Sequence, residues 1–203
     1  MARMRWFWID RFEEFVRGQR AVAVKNITTS EEQLDGYYPG FPLMPHSLII
    51  EGMAQTAGLL INEIYGFQKR VVLAKIGKAV FHSLAAPGYT LRYTATVLEV
   101  SADGAMCSGI AHIGERLVAE VELVFAFLDD RFHSGPLFEP VDFIQALHAF
   151  GMYDVGRTPE GEPILPPPYY VEAERITQSG YDPIPSQVLP AGAPGETRKH
   201  CES

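Results

Sequence analysis

The sequence has few cysteines, a shortage of basic side chains and no long apolar run. Its 203 residues include only Cys107 and Cys201, too few and too far apart for a disulfide framework, which favours a reducing compartment. Lys and Arg total 17 against 25 Asp and Glu, a net charge of −8, so no basic field attracts nucleic acid. No run reaches the about 18 apolar residues of a membrane span. We therefore expect a cytoplasmic protein that does not cross a membrane or bind nucleic acid.

Several signatures of cofactor and nucleophile chemistry are also missing. The sequence contains no glycine-rich phosphate loop, no dinucleotide fingerprint and no nucleophile elbow. Its histidines are scattered and do not combine with a second ligand at metal-binding spacing. We therefore expect neither a metal nor a cofactor.

The order of strand-like and helix-like segments predicts the fold class. Runs rich in β-branched and aromatic residues, separated by turn signals, predict six strands at 8–16, 20–27, 70–81, 90–100, 105–113 and 117–128. One long helix from position 47 to about 65 lies between the second and third strands. Two strands, one helix and four strands predict an α+β fold, in which an antiparallel sheet wraps around a single central helix.

The long helix carries one charge in an apolar setting. Apolar side chains occupy every side of its helical wheel, and Glu51 is the only charged residue from position 36 to position 62. A helix apolar all round is buried, and a buried carboxylate is costly unless it is paired, hydrogen-bonded or protonated. Two explanations stay open: Glu51 performs chemistry, or it only bonds to Gln55 one turn later or to the preceding loop. Ser47 is expected to cap the helix.

The rest of the chain divides by composition. Residues 36–45 contain two glycines and three prolines, which predicts a fixed irregular loop. Residues 1–130 form the main domain, and residues 131–175 form a C-terminal extension with a short amphipathic helix at 141–150. From position 176 the composition is rich in Pro, Gly and Ser, which predicts a flexible tail at 176–203.

Two adjacent segments carry a family resemblance. Residues 36–45 (Gly-Tyr-Tyr-Pro-Gly-Phe-Pro-Leu-Met-Pro) and 48–55 (Leu-Ile-Ile-Glu-Gly-Met-Ala-Gln) resemble the signature of β-hydroxyacyl-(acyl-carrier-protein) dehydratases, and the resemblance extends over roughly 9–129. It implies the hotdog fold and a lyase of fatty-acid synthesis that converts 3-hydroxyacyl thioesters to trans-2-enoyl thioesters. It also implies acyl carrier protein with its phosphopantetheine-linked acyl chain as partner, and a homodimer, with a trimer of dimers left open.

In that family a loop histidine and an acidic residue on the central helix, from different subunits, work on the thioester. The acid matches Glu51 and its helical neighbour matches Gln55, but the loop histidine falls on Tyr37. A tyrosine with a pKa near 10 is ionised to about one part in a thousand at pH 7, a handicap of roughly 4 kcal/mol for a base. His46, where the family has glycine, is a better base. We therefore expect His46 to replace the loop histidine, with Tyr37 lining the pocket or donating a hydrogen bond. The alternative left open for His46 is a residue at the helix start that faces solvent or the subunit boundary.

The remaining site residues surround this pair. Ser47, Gln55, Tyr38 and Gly40 are expected to contact the substrate, with backbone amides at the helix start receiving the thioester oxygen. His46 and Glu51 are five residues apart, about 140° around a helix, so they need not meet within one subunit.

Other readings stay open at this point. Arg70, Lys75 and Lys78 either meet the acidic carrier protein or form a solvated strand face. A hotdog acyl thioesterase and a non-catalytic acyl-binding subunit remain alternative functions.

Overall fold

The structure, a computed structural model, describes residues 6–37, 40–129 and 138–178, apart from the side chains of 35–37 and 176–178. The main body contains α1 (Glu32–Tyr37), α2 (His46–Ile64) and six strands, which are β1 (Arg11–Val16), β2 (Arg20–Asn26), β3 (Arg70–Phe81), β4 (Thr90–Val100), β5 (Gly104–Ile113) and β6 (Arg116–Leu128). The C-terminal extension contributes α3 (Pro140–Ala149), α4 (Met152–Val155), β7 (Gly156–Arg157) and α5 (Pro168–Gln178).

One seven-stranded sheet wraps around α2 in the order β3-β6-β5-β4-β2-β1-β7. All neighbouring strands are antiparallel except β1 and β7, which pair in parallel. Apolar residues of α2 pack against the inner faces of the strands and are fully buried, among them Ile49, Met53, Ala57, Leu60 and Ile61. The predicted α+β fold, a sheet around one central helix, is therefore confirmed, and it is the hotdog arrangement.

Three element boundaries differ from the predictions. Helix α2 begins at His46 with Pro45 as its N-cap residue and, in the part of the chain that the structure describes, no side chain caps it. The prediction that Ser47 is the cap is wrong, because Pro45 occupies the N-cap position and Ser47 lies inside the helix, as its second residue. Helix α1 extends through Tyr37, into residues predicted as loop. Strand β1 starts at Arg11, later than predicted, and the backbones of Trp6 and Trp8 contact Gln55 of the central helix.

The C-terminal extension packs on the outer edge of β1. β7 pairs with β1 at Phe15 and Val16, and the backbone N–H of Phe12 donates to the carbonyl of Phe150 at 2.8 Å. The backbone N–H of Arg17 donates to the carbonyl of Arg157 at 2.9 Å. The extension also supplies buried core residues, namely Ile144, Leu147, Met152, Ile164 and Tyr170. The tail predicted from 176 lies outside the described residues, apart from the last turn of α5.

The buried carboxylate of α2 is Glu63. Its side chain is 3% exposed, and its Oε2 accepts a hydrogen bond from Nε of Arg17 at 2.8 Å, with Nη2 of the same guanidinium on Oε1. These hydrogen bonds raise the pKa of Arg17 above its ordinary value. Glu51, expected to be the buried carboxylate, is only half-buried in the single chain.

The opposite edge of the sheet is formed by β3, which pairs along one side with β6. Residues 73–79 at its centre are exposed, including the apolar side chains of Leu73 and Ile76. A long, exposed apolar edge strand is a template for pairing with another chain. Among the described helices, none has the length and hydropathy needed to span a membrane.

Candidate active site

The start of α2 is held by the preceding loop. Met44 is buried, and its backbone N–H donates to the carbonyl of Ala85 at 2.8 Å. The N–H groups of Leu48 and Ile49 both donate to the carbonyl of Pro45, at 3.0 and 3.2 Å. The amides of His46 and Ser47 precede these bonds at the positive end of the helix dipole. This end of α2 can therefore stabilise negative charge that develops on a ligand oxygen.

The His46 imidazole lies against the end of the edge strand. It stacks on the ring of Phe81, the last residue of β3, with 3.9 Å between ring centroids and 10° between planes. His46 is half-buried, and Ser47 beside it is exposed. The stacking fixes the plane of the imidazole next to the free edge of the sheet.

Glu51 belongs to a hydrogen-bond network centred on Gln55. Nε2 of Gln55 donates to Oε1 of Glu51 at 2.9 Å and to the carbonyl of Trp6 at 3.0 Å. Oε1 of Gln55 accepts the backbone N–H of Trp8 at 2.8 Å. The bond between Glu51 and Gln55, which is one of the two explanations left open for Glu51, is thus present. Both ends of the Gln55 amide are also bonded to residues 6–8. We call residues 6–8 the N-terminal strap.

A buried tyrosine packs against the helix residue that follows Glu51. A Cβ atom at Gly52 would lie 2.5 Å from Cε2 of Tyr93 on β4, so only glycine allows this close approach. Tyr93 is fully buried, its burial raises the pKa of its hydroxyl, and the hydroxyl has no hydrogen-bond partner among the described residues. The sequence signal for this contact is a glycine in the middle of a helix, which usually has a packing reason.

The structure places the other predicted site residues as follows. Gly40 has a φ of 77°, a value that favours glycine, and among the described residues other than its chain neighbours no heavy atom lies within 4 Å of the place where a Cβ would be. The backbone of Tyr37 ends α1, while its side chain and all of Tyr38 lie outside the described residues. Within the described part of one chain, no hydrogen bond or ion pair joins His46 to Glu51. The structure therefore brings Glu51 and Gln55 into contact, whereas His46 contacts Phe81.

A groove of about 440 Å³ lies beside the strap. One wall carries the buried Lys25, whose Nζ donates to Oε1 of Glu31 at 2.7 Å and to the carbonyl of Asn26 at 2.7 Å. Leu48, one turn of α2 before Glu51, contributes another part of the lining. The full lining consists of Trp6, Phe7, Trp8, Lys25, Glu31, Gln33 and Leu48.

The sheet that wraps around α2 and the Glu51 carboxylate on that helix together define a hotdog-fold protein with an acidic side chain on its central helix. Sequence comparison narrows this class, because a family model described as FabA-like domain matches residues 2–126. The chain therefore belongs to the FabA-like family. Helices α3 to α5 and strand β7 lie beyond the matched residues.

Individual relatives agree with the family match. The 3-hydroxyacyl-(acyl-carrier-protein) dehydratase FabZ of Desulforamulus reducens is 40% identical over 119 residues, covering 58% of this chain and 84% of the relative. The protein of the same name from Enterococcus faecalis is 36% identical over 118 residues, with 58% and 84% covered. The crystal structure of Cj0977, a sigma28-regulated virulence protein from Campylobacter jejuni, superposes with a TM-score of 0.50 at 18% identity. The superposition covers 66% of this chain and 92% of the Campylobacter jejuni protein, and it supports the fold alone.

Proposed function

We propose that the chain dehydrates 3-hydroxyacyl thioesters on acyl carrier protein to trans-2-enoyl thioesters, as a lyase of fatty-acid synthesis in the cytoplasm. The observation that carries this proposal is Glu51 on the central helix, held by Gln55, inside the region that matches the FabA-like family. The relatives named as 3-hydroxyacyl-(acyl-carrier-protein) dehydratases support the same activity. The chain needs no cofactor for this reaction, because proton transfer alone removes water.

The reaction requires a base for the Cα proton, an acid for the departing hydroxyl, and donors for the charge that grows on the thioester oxygen. Glu51 is the acid. Its Oε1 already accepts the Gln55 amide, so Oε2 remains to deliver a proton to the leaving oxygen. The amides of His46 and Ser47, at the start of α2, are the donors for the thioester oxygen.

His46 is the base in this proposal. The stacking on Phe81 orients its ring at the end of β3, close to the free edge where a second subunit would pair. Tyr37 takes the position of the family's loop histidine and supplies a hydrogen bond or a pocket wall. Ser47, Gln55, Tyr38 and Gly40 line the substrate site in this proposal.

The pair His46 and Glu51 works across a homodimer. The exposed apolar centre of β3, with Leu73 and Ile76, supports pairing of two copies along this edge. Lys75 and Lys78 on the same strand are exposed and give a local positive charge that suits the acidic carrier protein. We extend the same proposal to a trimer of such dimers.

The activity is tested with purified protein and two substrates, a crotonyl and a 3-hydroxyacyl carrier thioester. Enoyl absorbance and free thiol are followed together, so that dehydration and thioester hydrolysis are separated. We expect interconversion of enoyl and hydroxyacyl forms without thiol release, and a loss of about 10²- to 10⁴-fold in kcat for Glu51→Gln. The matched control is Glu120→Gln, an exposed acid paired with His82 on the sheet surface, which should retain full activity. Thiol release instead of interconversion would identify a thioesterase.

The roles of His46 and the dimer are tested by subunit complementation. His46→Ala and Glu51→Gln proteins are each expected to be inactive, whereas a mixed dimer regains one intact site from the two wild-type residues. Random mixing should restore about a quarter of the wild-type activity, since half of the dimers are mixed and each has one site. His82→Ala serves as the control for loss of an exposed imidazole. Full activity of His46→Ala would reject His46 as the base. Tyr37→Ala would then replace His46→Ala in the same mixing experiment.

A further inference from the structure

The C-terminal extension touches the N-terminal strap through one aromatic contact. The ring of Phe150, at the end of α3, meets the ring of Phe7 edge to face, with 4.9 Å between centroids and 87° between planes. Phe150 is buried and is also fixed to β1, because its carbonyl accepts the N–H of Phe12 at 2.8 Å. The extension therefore presents a rigid ring to the strap.

The strap fixes the direction of the Gln55 amide. The backbone N–H of Trp8 is a donor, so the group of Gln55 that faces it has to be the carbonyl oxygen. The two N–H groups of Nε2 then point to two acceptors, Oε1 of Glu51 and the carbonyl of Trp6. A flipped amide would place its oxygen against both acceptors and its N–H groups against the Trp8 N–H, which the network excludes.

This orientation decides which oxygen of Glu51 can hold a proton. Because Oε1 accepts the amide N–H, a protonated Glu51 carries its proton on Oε2. An acid that delivers its proton from one defined oxygen is aligned with the leaving group in advance. The strap thus acts on the carboxylate through Gln55.

The strap has little burial of its own at its outer end. Trp6 is 58% exposed and Phe7 is 42% exposed, whereas Trp8 and Ile9 are buried. An exposed segment with few buried contacts opens locally unless something holds it. Among the described contacts of Phe7, the Phe150 ring supplies that hold.

We propose that the C-terminal extension positions Glu51 for catalysis, with Phe150 holding Phe7, the strap orienting the Gln55 amide, and Gln55 aligning the carboxylate. Phe150 is a positioning residue in this scheme. It lies outside the FabA-like match, so the scheme gives a role to a segment that the family region does not contain. The inference rests on the proposed dehydratase function.

The test uses Phe7→Ala, Phe150→Leu and Gln55→Ala in the full chain. We expect kcat for dehydration to fall about tenfold in Phe7→Ala and Phe150→Leu while KM stays unchanged, because the perturbation misaligns the acid and leaves substrate binding intact. Phe7→Ala removes a partly exposed ring, so it keeps the test decisive if Phe150→Leu folds poorly. In a Gln55→Ala background, Phe7→Ala should lower kcat no further, since both changes act through one amide. The control is Phe138→Ala, which removes an exposed ring stacked on Phe143 in the same extension.

A second readout separates this inference from the proposed function. The side-chain amide signals of Gln55 in ¹⁵N-labelled protein, assigned by their loss in Gln55→Ala, should shift in Phe7→Ala and stay in place in Phe138→Ala. If the wild-type protein dehydrates substrate, an unchanged kcat in Phe7→Ala overturns the inference whatever the signals do. If the wild-type protein shows no dehydration, the proposed function fails and the amide signals alone decide whether Phe7 positions Gln55.

Discussion

Removing Arg17 should destabilise the protein far more than neutralising its partner Glu63. The two side chains form a fork of hydrogen bonds, yet they differ in exposure, at 41% for Arg17 and 3% for Glu63. Arg17→Met leaves a buried carboxylate without its counter-charge. Glu63→Gln leaves a guanidinium that already reaches water and keeps an acceptor for it.

The magnitudes follow from that asymmetry. Breaking a buried ion pair so that one charge is stranded costs about 3–5 kcal/mol, which is our expectation for Arg17→Met. Replacing the carboxylate by an amide weakens the hydrogen bonds to a partly solvated partner and should cost about 1 kcal/mol for Glu63→Gln. Domains of this kind have a total free energy of unfolding of about 5–15 kcal/mol, so the first change removes a large part of it. The double change Arg17→Met with Glu63→Met should recover most of the loss, because no charge is left buried.

The chain offers a matched control at its surface. Arg20 forms two 2.8 Å hydrogen bonds to the Glu14 carboxylate, with exposures of 42% and 36%. Arg20→Met should therefore cost less than about 1 kcal/mol. Urea unfolding is followed by the fluorescence of the two tryptophans, at one fixed protein concentration because any subunit association adds to the measured stability. Equal losses for Arg17→Met and Arg20→Met would refute the argument from burial.

Two further predictions concern the packing of Gly52 against Tyr93 and the burial of the Cys107 thiol. Gly52→Ala should lower the free energy of unfolding by about 1–3 kcal/mol, because its Cβ would lie 2.5 Å from the buried Tyr93 ring. The control Gly58→Ala, whose nearest contact would be at 3.5 Å, should leave the free energy of unfolding unchanged or raise it by up to about 1 kcal/mol. Denaturant unfolding of both variants checks this, and equal stabilities would contradict it. Burial raises the pKa of Cys107 to about 12, so at pH 8 its thiol is neutral. In a Cys201→Ser variant, a chromogenic disulfide reagent should react with Cys107 only after unfolding in urea, and a rapid reaction of the native protein would show that the thiol is accessible.

The main body of the fold could be predicted because its signals are local. The turns at Asp103-Gly104 and Gly114-Glu115 join the paired strands β4–β5 and β5–β6, Pro87-Gly88 separates β3 from β4, and the apolar wheel of α2 identifies the helix that the sheet surrounds. The extension beyond α3 could not be predicted in the same way. Strand β7 is two residues long and pairs in parallel with β1, about 140 positions earlier in the chain, which no local pattern encodes.

The candidate site was predicted in part, for a similar reason. Glu51 and its bond to Gln55 follow from spacing on one helix. The burial of Glu63, in contrast, depends on the β1–β2 hairpin, which brings Arg17 to the end of α2 from 46 residues away. Trp6 and Trp8 bind Gln55 through backbone atoms, and side-chain identity carries no information about that.

The occupied outer edge of β1 bears on how the protein can associate. A sheet with both edges open can add copy after copy at either end and polymerise into a fibre. Here the extension covers β1 with two hydrogen-bonded residues and flanking backbone bonds, which blocks strand addition on that side. In the proposed homodimer, the remaining open edge, β3, pairs with β3 of the second copy. In that proposed dimer, strand addition along the sheet ends at two copies.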